Sequence, residues 1–321
     1  MFYEENLTEK NLENQEIRIK SGYDLEEVVK AIRALTKENR TKYYALLLFD
    51  GDNFGVIWSG ETLRDGASLE LFQQELAKRL HDYAQAATSY LDSGKGRAVY
   101  TGGDDVLGFV NLSHLFAVLR NLRMSFDEVV SRPLAGYMKE GHAITFTAGV
   151  TVAHYKAPLG EVLRKARATE KKAKDIPGKN AFGISVLKHS GEIHEGFSNF
   201  SSLYEANGCS KPVDSISLLG KVVEELQRKS GFSNTFIKSF GLEMRKVKDR
   251  NGQVLLSDAA TRTELQRLLY RSSKTYGCEK TKAVKDFIEV VDSLRHVSYD
   301  ISNFLSLLDI CDFFRRETIR G

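Results

Sequence analysis

Residues 43–49 read YYALLLF, and the segment FDGDNFG follows from Phe49 without a break. A strand-length apolar run with no alternation predicts a β-strand covered on both faces, so this chain needs a sheet with a layer on either side. The end of that strand carries two acidic residues, Asp50 and Asp52.

The segments that follow supply partners for such a strand. Between residues 68 and 92, Leu69, Leu71, Phe72, Leu76, Leu80, Tyr83 and Ala84 recur at helical spacing with charges between them. RAVYTGGDDVLGFV predicts two short strands, 97–100 and 105–110, joined by a glycine turn. A second helix over 113–130 ends before Pro133, and β-branched and aromatic residues make 144–155 a strand. Pro158 opens a helix that runs to Lys174, and FGISVL is a last strand. From Tyr43 to Leu187 the order is strand, helix, strand, strand, helix, strand, then one more helix and strand. This is a ferredoxin-like core with an appendage, of the α+β class.

Beyond residue 200 the strand signals stop. Stripes such as Leu218, Leu219, Val222, Val223, Leu226 and Ile301, Phe304, Leu305, Leu308, Cys311 predict helices, hence an all-α C-terminal domain. The stretch SNFSSLYEANGCSKPVDS, rich in Ser, Asn, Gly and Pro, reads as the linker or long loop between them. Leu25, Val28, Val29, Ile32 and Leu35 form one amphipathic helix in an otherwise polar lead-in. The expected division is 1–40 lead-in, 41–200 sheet domain and 201–321 helical domain.

Composition excludes several classes. With 42% hydrophobic and 28% charged residues in 321, the chain has the make-up of a globular protein of two domains and not of a disordered one. No apolar window is long enough to span a membrane, so a soluble, cytoplasmic protein is expected. The three cysteines, Cys209, Cys278 and Cys311, lie far apart, which argues against a disulfide framework or a zinc ribbon. A net charge of +3 gives no global attraction to nucleic acid, so an anion site must come from local clustering.

The predicted topology creates such clusters. In a ferredoxin-like sheet the third strand runs antiparallel beside the first, so its start meets the first strand's end. That brings Asp50 and Asp52 towards TGGDD, with Asp104 and Asp105. Crowded carboxylates repel unless a cation neutralises them, and hard oxygen donors without His or Cys favour Mg²⁺ or Mn²⁺. Gly102 and Gly103 permit a sharp turn and the close approach of a phosphate. The set suits a two-metal nucleotidyl transfer. Each motif alone is equally a turn or a helix cap, and it is their joint occurrence that points to a site.

A basic element completes it. Eight basic residues against three acidic ones lie between Lys156 and Lys179. Most are the solvated face of an amphipathic helix, but Lys174 and Lys179 flank Gly178 at its end, where the backbone admits a ligand. Trp58 near a strand end reads as packing more than base stacking. His81 and Asp82 read as exposed helix residues, and apart from a loose His189 and His194 pair in a loop the histidines show no metal spacing.

FDGDNFG, YTGGDD, TAGVTVAHYKAPLGEVL and KKAKDIPGKNAFGISVLKHSGE together resemble the catalytic palm of the CRISPR polymerase family, the large subunit of type III CRISPR effector complexes, most closely its Cmr variety. The helical remainder from Ser215, with GFSNTFIKSF, is similar to that subunit's C-terminal helical domain. This palm is related to the GGDEF diguanylate cyclases and class III nucleotidyl cyclases. Their D-x-D-x-F pattern matches Asp50, Asp52 and Phe54, and their Lys with Gly-Arg-Asn matches Lys174 and Gly178-Lys179-Asn180, with one extra residue between. The resemblance implies Asp50, Asp104 and Asp105 as catalytic metal ligands. It implies Gly51, Asp52, Asn53, Phe54, Gly102, Gly103, Lys174 and Lys179 around the nucleotide. It further implies polymerisation of ATP through 3′–5′ bonds into cyclic oligoadenylate, in a complex that senses target RNA. The family's N-terminal nuclease domain, first palm and zinc-binding insertion do not fit ahead of Tyr43, so this chain brings one palm. A second palm, from a homodimer or a partner chain, is then required, possible further partners being other effector subunits and guide RNA. A free-standing enzyme making a cyclic dinucleotide, a non-catalytic nucleotide-binding scaffold and a GGDEF-like enzyme using GTP are the alternatives.

Overall fold

The computed structural model describes residues 41–206, 209–247 and 256–318, with Asp24, Glu26, Glu27 and Lys30 ahead of them. The lead-in helix expected over Leu25–Leu35 lies outside the described residues apart from three of these positions.

The apolar run becomes β1, Tyr43–Gly51, and it is covered on both faces as its composition requires. Ala45, Leu47 and Phe49 face one layer, and Leu46 faces the other. After β1 come the short α1 (Phe54–Ser59), α2 (Leu69–Asp92), the hairpin β2 (Gly96–Gly102) and β3 (Asp105–Asn111), α3 (Leu115–Phe126) and β4 (Phe146–His154). Then follow α4 (Leu159–Lys174), β5 (Ala181–Leu187) and β6 (Ile193–Asn199). The six strands form one sheet in the order β2-β3-β1-β4-β5-β6. β1 is antiparallel to both β3 and β4, and β5 adds parallel to β4, so the ferredoxin-like core and its appendage are present.

The layers follow from the side chains. Phe72, Leu76, Leu80, Tyr83 and Leu91 of α2 and Val118, Leu119 and Leu122 of α3 pack on the Ala45–Leu47–Phe49 face. α4 covers the opposite face, with Val162 and Ala166 against Leu46 and Ala153. It lies unusually close to the sheet because Gly149 of β4 and Gly183 of β5 are paired neighbours. A Cβ on Gly149 would sit 2.5 Å from the Ala166 carbonyl oxygen, and one on Gly183 would sit 2.8 Å from the Thr169 methyl. Glycine in a strand interior marks such close approach.

The sequence reading is corrected after residue 187. The expected linker contains β7 (Ser201–Ala206) and β8 (Cys209–Asp214), an antiparallel hairpin in which Ala206 pairs with Cys209. Asn207-Gly208 between them is the strongest short hairpin signal a sequence offers, and Pro212 is tolerated because neither strand is central. β6 also lacked a clear apolar signal. Its outer edge is covered by Asn303, whose side chain accepts from the Phe197 N–H at 2.9 Å and donates to its carbonyl at 2.8 Å, in place of a neighbouring strand. The second helix, expected to end before Pro133, passes through a π-type turn over Asp127–Ser131 and continues in a last helical turn, Arg132–Leu134, so Pro133 lies inside it.

The C-terminal region is helical: α5 (Ser215–Gln227), α6 (Thr235–Lys246), α7 (Asp258–Ser272), α8 (Cys278–His296) and α9 (Ile301–Glu317). Its buried side chains are continuous with the α2–α3 face of the sheet, through contacts such as Phe116 with Phe314 at 4.7 Å between ring centroids. Cys311 is buried there as core filler; the side chains of Cys209 and Cys278 lie outside the described residues. Among the described residues no helix is long and apolar enough to cross a membrane.

Candidate active site at the end of the first strand

The register fixes the acidic cluster. Phe49 lies opposite Val106 of β3, so the next residue, Asp50, arrives beside the start of β3 and its preceding turn. Asp50, Asp104 and Asp105 each offer a carboxylate oxygen, all within 4.8 Å of one another. Gly103 in the turn has φ +61, which allows the chain to reverse between the strands. Gly51 is needed for space: a Cβ there would sit 2.2 Å from the Phe54 ring and 2.8 Å from an Asp104 carboxylate oxygen.

The electrostatics of the cluster are those of carboxylates held too close together. Burial first, then the hydrogen bond to Asp50 and the charges of Asp50 and Asp104, push Asp105 up to about 7, with Lys174 opposing. Burial also raises Asp104, with Asp50 adding to the shift. Lys174, at the end of α4, binds the Asp50 carboxylate and lies 3.0 Å from Glu170 one turn back. Burial pulls Lys174 down, but the hydrogen bonds to Asp50 and Glu170 outweigh it and leave its pKa above the usual lysine value. The donor set is all carboxylate, desolvated and partly neutralised by one ammonium. It matches the chemistry of a hard divalent cation.

Lys179 stands on a second feature. Its Nζ donates to Asn53 Oδ1 at 2.6 Å, which joins the loop after α4 to the turn after β1. Among the described residues the non-glycine positions with positive φ are Asn53, Lys179 and Asn180, and all three meet here. Such conformations persist only where the surroundings over-determine them, and they concentrate at working sites.

Two expected nucleotide contacts are turned inward instead. Asp52 is 3% exposed. Its carboxylate accepts from Thr145 Oγ1 and Thr147 Oγ1, each at 2.8 Å, and from the Asn180 N–H at 2.9 Å. Those three donors occupy the carboxylate within the protein, so Asp52 ties the loop to the sheet. Phe54 is buried in the core with its ring over Gly51. Gly102 pairs with Asp105 at the end of the hairpin, beneath the Tyr100 hydroxyl. His81 is exposed on α2 beside Gln85, and Trp58 packs against the core. His194 sits on β6, bonded to Lys188 at 2.7 Å, away from the cluster.

Sequence reasoning missed Glu170, Thr145 and Thr147. Glu170 was findable as the i−4 partner of Lys174 on a helix face. The threonines carry no signal until the β1–β4 register sets Asp50 opposite Thr147.

Residues 43–183 match the family described as Cas10/Cmr2, second palm domain. Over 192 residues the chain is 31% identical to CRISPR system Cmr subunit Cmr2 of Pyrococcus furiosus, covering 53% of this chain and 22% of that protein. The fold matches a chain of the type III-B Cmr-beta complex in its apo state at TM-score 0.55 and 12% identity, over 98% of this chain and 41% of that one. The same complex bound to cognate target RNA gives TM-score 0.50 at 12% identity, over 92% and 41%. The chain therefore spans about a fifth of its curated relative and about two-fifths of the structural ones. Palm motifs, sheet order and acidic cluster agree with these matches, and residues 43–183 are similar to the second palm domain of the Cas10/Cmr2 family.

Proposed function

We propose that the chain is a metal-dependent nucleotidyltransferase that joins ATP through 3′–5′ bonds and closes the product into cyclic oligoadenylate, a second messenger of type III CRISPR antiviral defence. The observation that carries this reading is the convergence of Asp50, Asp104 and Asp105 within 4.8 Å beside Lys174. In each joining step a ribose 3′ hydroxyl forms a bond to the α-phosphorus of a second ATP, and in the closing step the terminal 3′ hydroxyl forms it to the α-phosphorus of the oligomer's own 5′-triphosphate. The α–β phosphoanhydride breaks, pyrophosphate leaves and the hydroxyl proton passes to solvent.

In this reading the three carboxylates hold Mg²⁺ or Mn²⁺. Bound there, the ions would lower the pKa of the attacking hydroxyl and offset triphosphate charge. Lys174 exchanges Asp50 for phosphate as the cluster is neutralised, and Lys179 meets the triphosphate from the adjoining loop. Gly51, Asn53, Gly102 and Gly103 give the nucleotide access to backbone, while Asp52 and Phe54 support them from inside. One palm supplies half of a paired site. A second copy or a partner palm completes it, with other effector subunits and guide RNA as further partners in the cytoplasm.

The test is incubation of the purified chain with labelled ATP or GTP and Mg²⁺ or Mn²⁺, with products resolved by mass. Cyclic adenine product is expected with ATP, and Asp104→Ala with Asp105→Ala removes it while the fold survives. Undiminished product in that double variant rejects the site.

A further inference from the structure

The loop carrying Lys179 is gripped from behind by two side chains on elements that contribute nothing to the acidic cluster. Arg123, on α3, donates from Nε to Asn180 Oδ1 at 2.8 Å. Its guanidinium lies 5.8 Å from the centroid of the Phe146 ring, and Phe146 is the residue opposite Gly51 in the sheet. Tyr299, in the turn between α8 and α9, donates to Asn199 Oδ1 at 3.2 Å. Asn199 in turn donates from Nδ2 to the Lys179 carbonyl at 2.7 Å, and the Phe200 N–H donates to the Asn180 carbonyl at 2.9 Å. These bonds converge on two successive non-glycine residues in the left-handed region, Lys179 at φ 51 and Asn180 at φ 46. Left-handed backbone at such residues relaxes unless it is held.

We infer that Arg123 and Tyr299 are positioning residues for Lys179. They hold the loop in its left-handed conformation, so that the Lys179 amine stands beside Asn53. Arg123 acts through the Asn180 side chain, and Tyr299 acts through Asn199. The C-terminal helical region thereby reaches the triphosphate loop through one phenolic hydroxyl. This inference rests on the nucleotide reading above only for what Lys179 binds; the grip on the loop stands apart from it.

Two measurements on the full chain test it. The first needs no nucleotide: hydrogen exchange of the Asn180 amide, which donates to Asp52. Arg123→Lys and Tyr299→Phe should each exchange faster there, with exchange in the core strands unchanged; exchange at the wild-type rate in both variants overturns the inference. Tyr299→Phe removes a single oxygen and keeps the test decisive if Arg123→Lys fails to fold. The second is binding of α,β-methylene ATP with Mg²⁺. Arg123→Lys should bind roughly tenfold more weakly and Tyr299→Phe a few-fold more weakly, in line with loss of one hydrogen bond. In a Lys179→Ala background neither should add to the loss. Full additivity in that background overturns the inference. If the wild type does not bind the analogue, the nucleotide reading fails while the exchange result still decides the positioning role.

Discussion

Asp52 and Asn180, 128 residues apart in sequence, are joined by the Asn180 N–H donating to the Asp52 carboxylate at 2.9 Å. The same carboxylate takes the hydroxyls of Thr145 and Thr147. One buried acid therefore fixes the end of β1, the start of β4 and the lysine loop relative to each other. The first acidic motif splits its labour: Asp50 faces the cluster, and Asp52 holds the frame.

Asp52→Ala should consequently destabilise the fold, by about 3 kcal/mol, because one buried and two part-buried donors lose their acceptor. Thermal or urea unfolding of the metal-free variant checks this. Unchanged or increased stability would place Asp52 among the ligands and remove it from the frame.

The cluster should couple cation binding to pH. Asp105 is pushed up to about 7, chiefly by burial and then by Asp50 and Asp104, so below that pH a cation must displace a proton. Neighbouring carboxylates shape the Asp105 value, so the proton belongs to the cluster and not to one residue. Mn²⁺ or Mg²⁺ affinity should fall by up to about tenfold per unit as pH drops below 7, and level off above 8. The stability sign is opposite in the metal-free chain. The folded value exceeds the unfolded value of 3.8, so this group's contribution is lost as pH rises from 3.8 to about 7 and is regained on acidification. Calorimetric titrations at pH 6 and pH 8 measure the first effect, and metal-free melting curves measure the second.

Gly149→Ala should cost roughly 2 kcal/mol, because the added methyl meets backbone of α4 and not a flexible side-chain end. By pushing α4 from the sheet it should also separate Lys174 from Asp50, which pair across that contact. A crystal structure of the variant, or the pH titration of Lys174 followed by NMR, reads the displacement. An unmoved α4 with full stability contradicts the close-approach argument.

Asn303→Ala should release the outer edge of β6, since both hydrogen bonds from that side chain go to the Phe197 backbone. Faster hydrogen exchange at Phe197 is expected, with a stability loss of about 1–2 kcal/mol. Unaltered protection at Phe197 would mean that packing alone covers the edge.

The parts of the fold that were legible in sequence have a strong local signal. YYALLLF has a composition that only a doubly covered strand explains, and the stripe from Leu69 to Leu91 has a helical period over a long window. β6 reads IHEGFSN, half-exposed and polar, because Asn303 and α9 cover its edge, and no local pattern announces that. The hairpin around Asn207-Gly208 did carry a signal, but Ser, Asn and Pro around it resemble a linker in composition. At the site, strand order alone brought Asp50 to Asp104 and Asp105. The roles of Asp52, Arg123 and Tyr299 depend on which way side chains turn at the end of a twisted sheet, which pattern and spacing do not encode.

The central claim is that Asp50, Asp104 and Asp105 form a divalent-cation site. Electron paramagnetic resonance titration of Mn²⁺ into the purified chain at pH 8 tests it most directly, compared with Asp104→Asn combined with Asp105→Asn. Saturable binding in the wild type and its loss in the double variant are predicted. Equal Mn²⁺ binding by the two proteins, or none by the wild type, would contradict it.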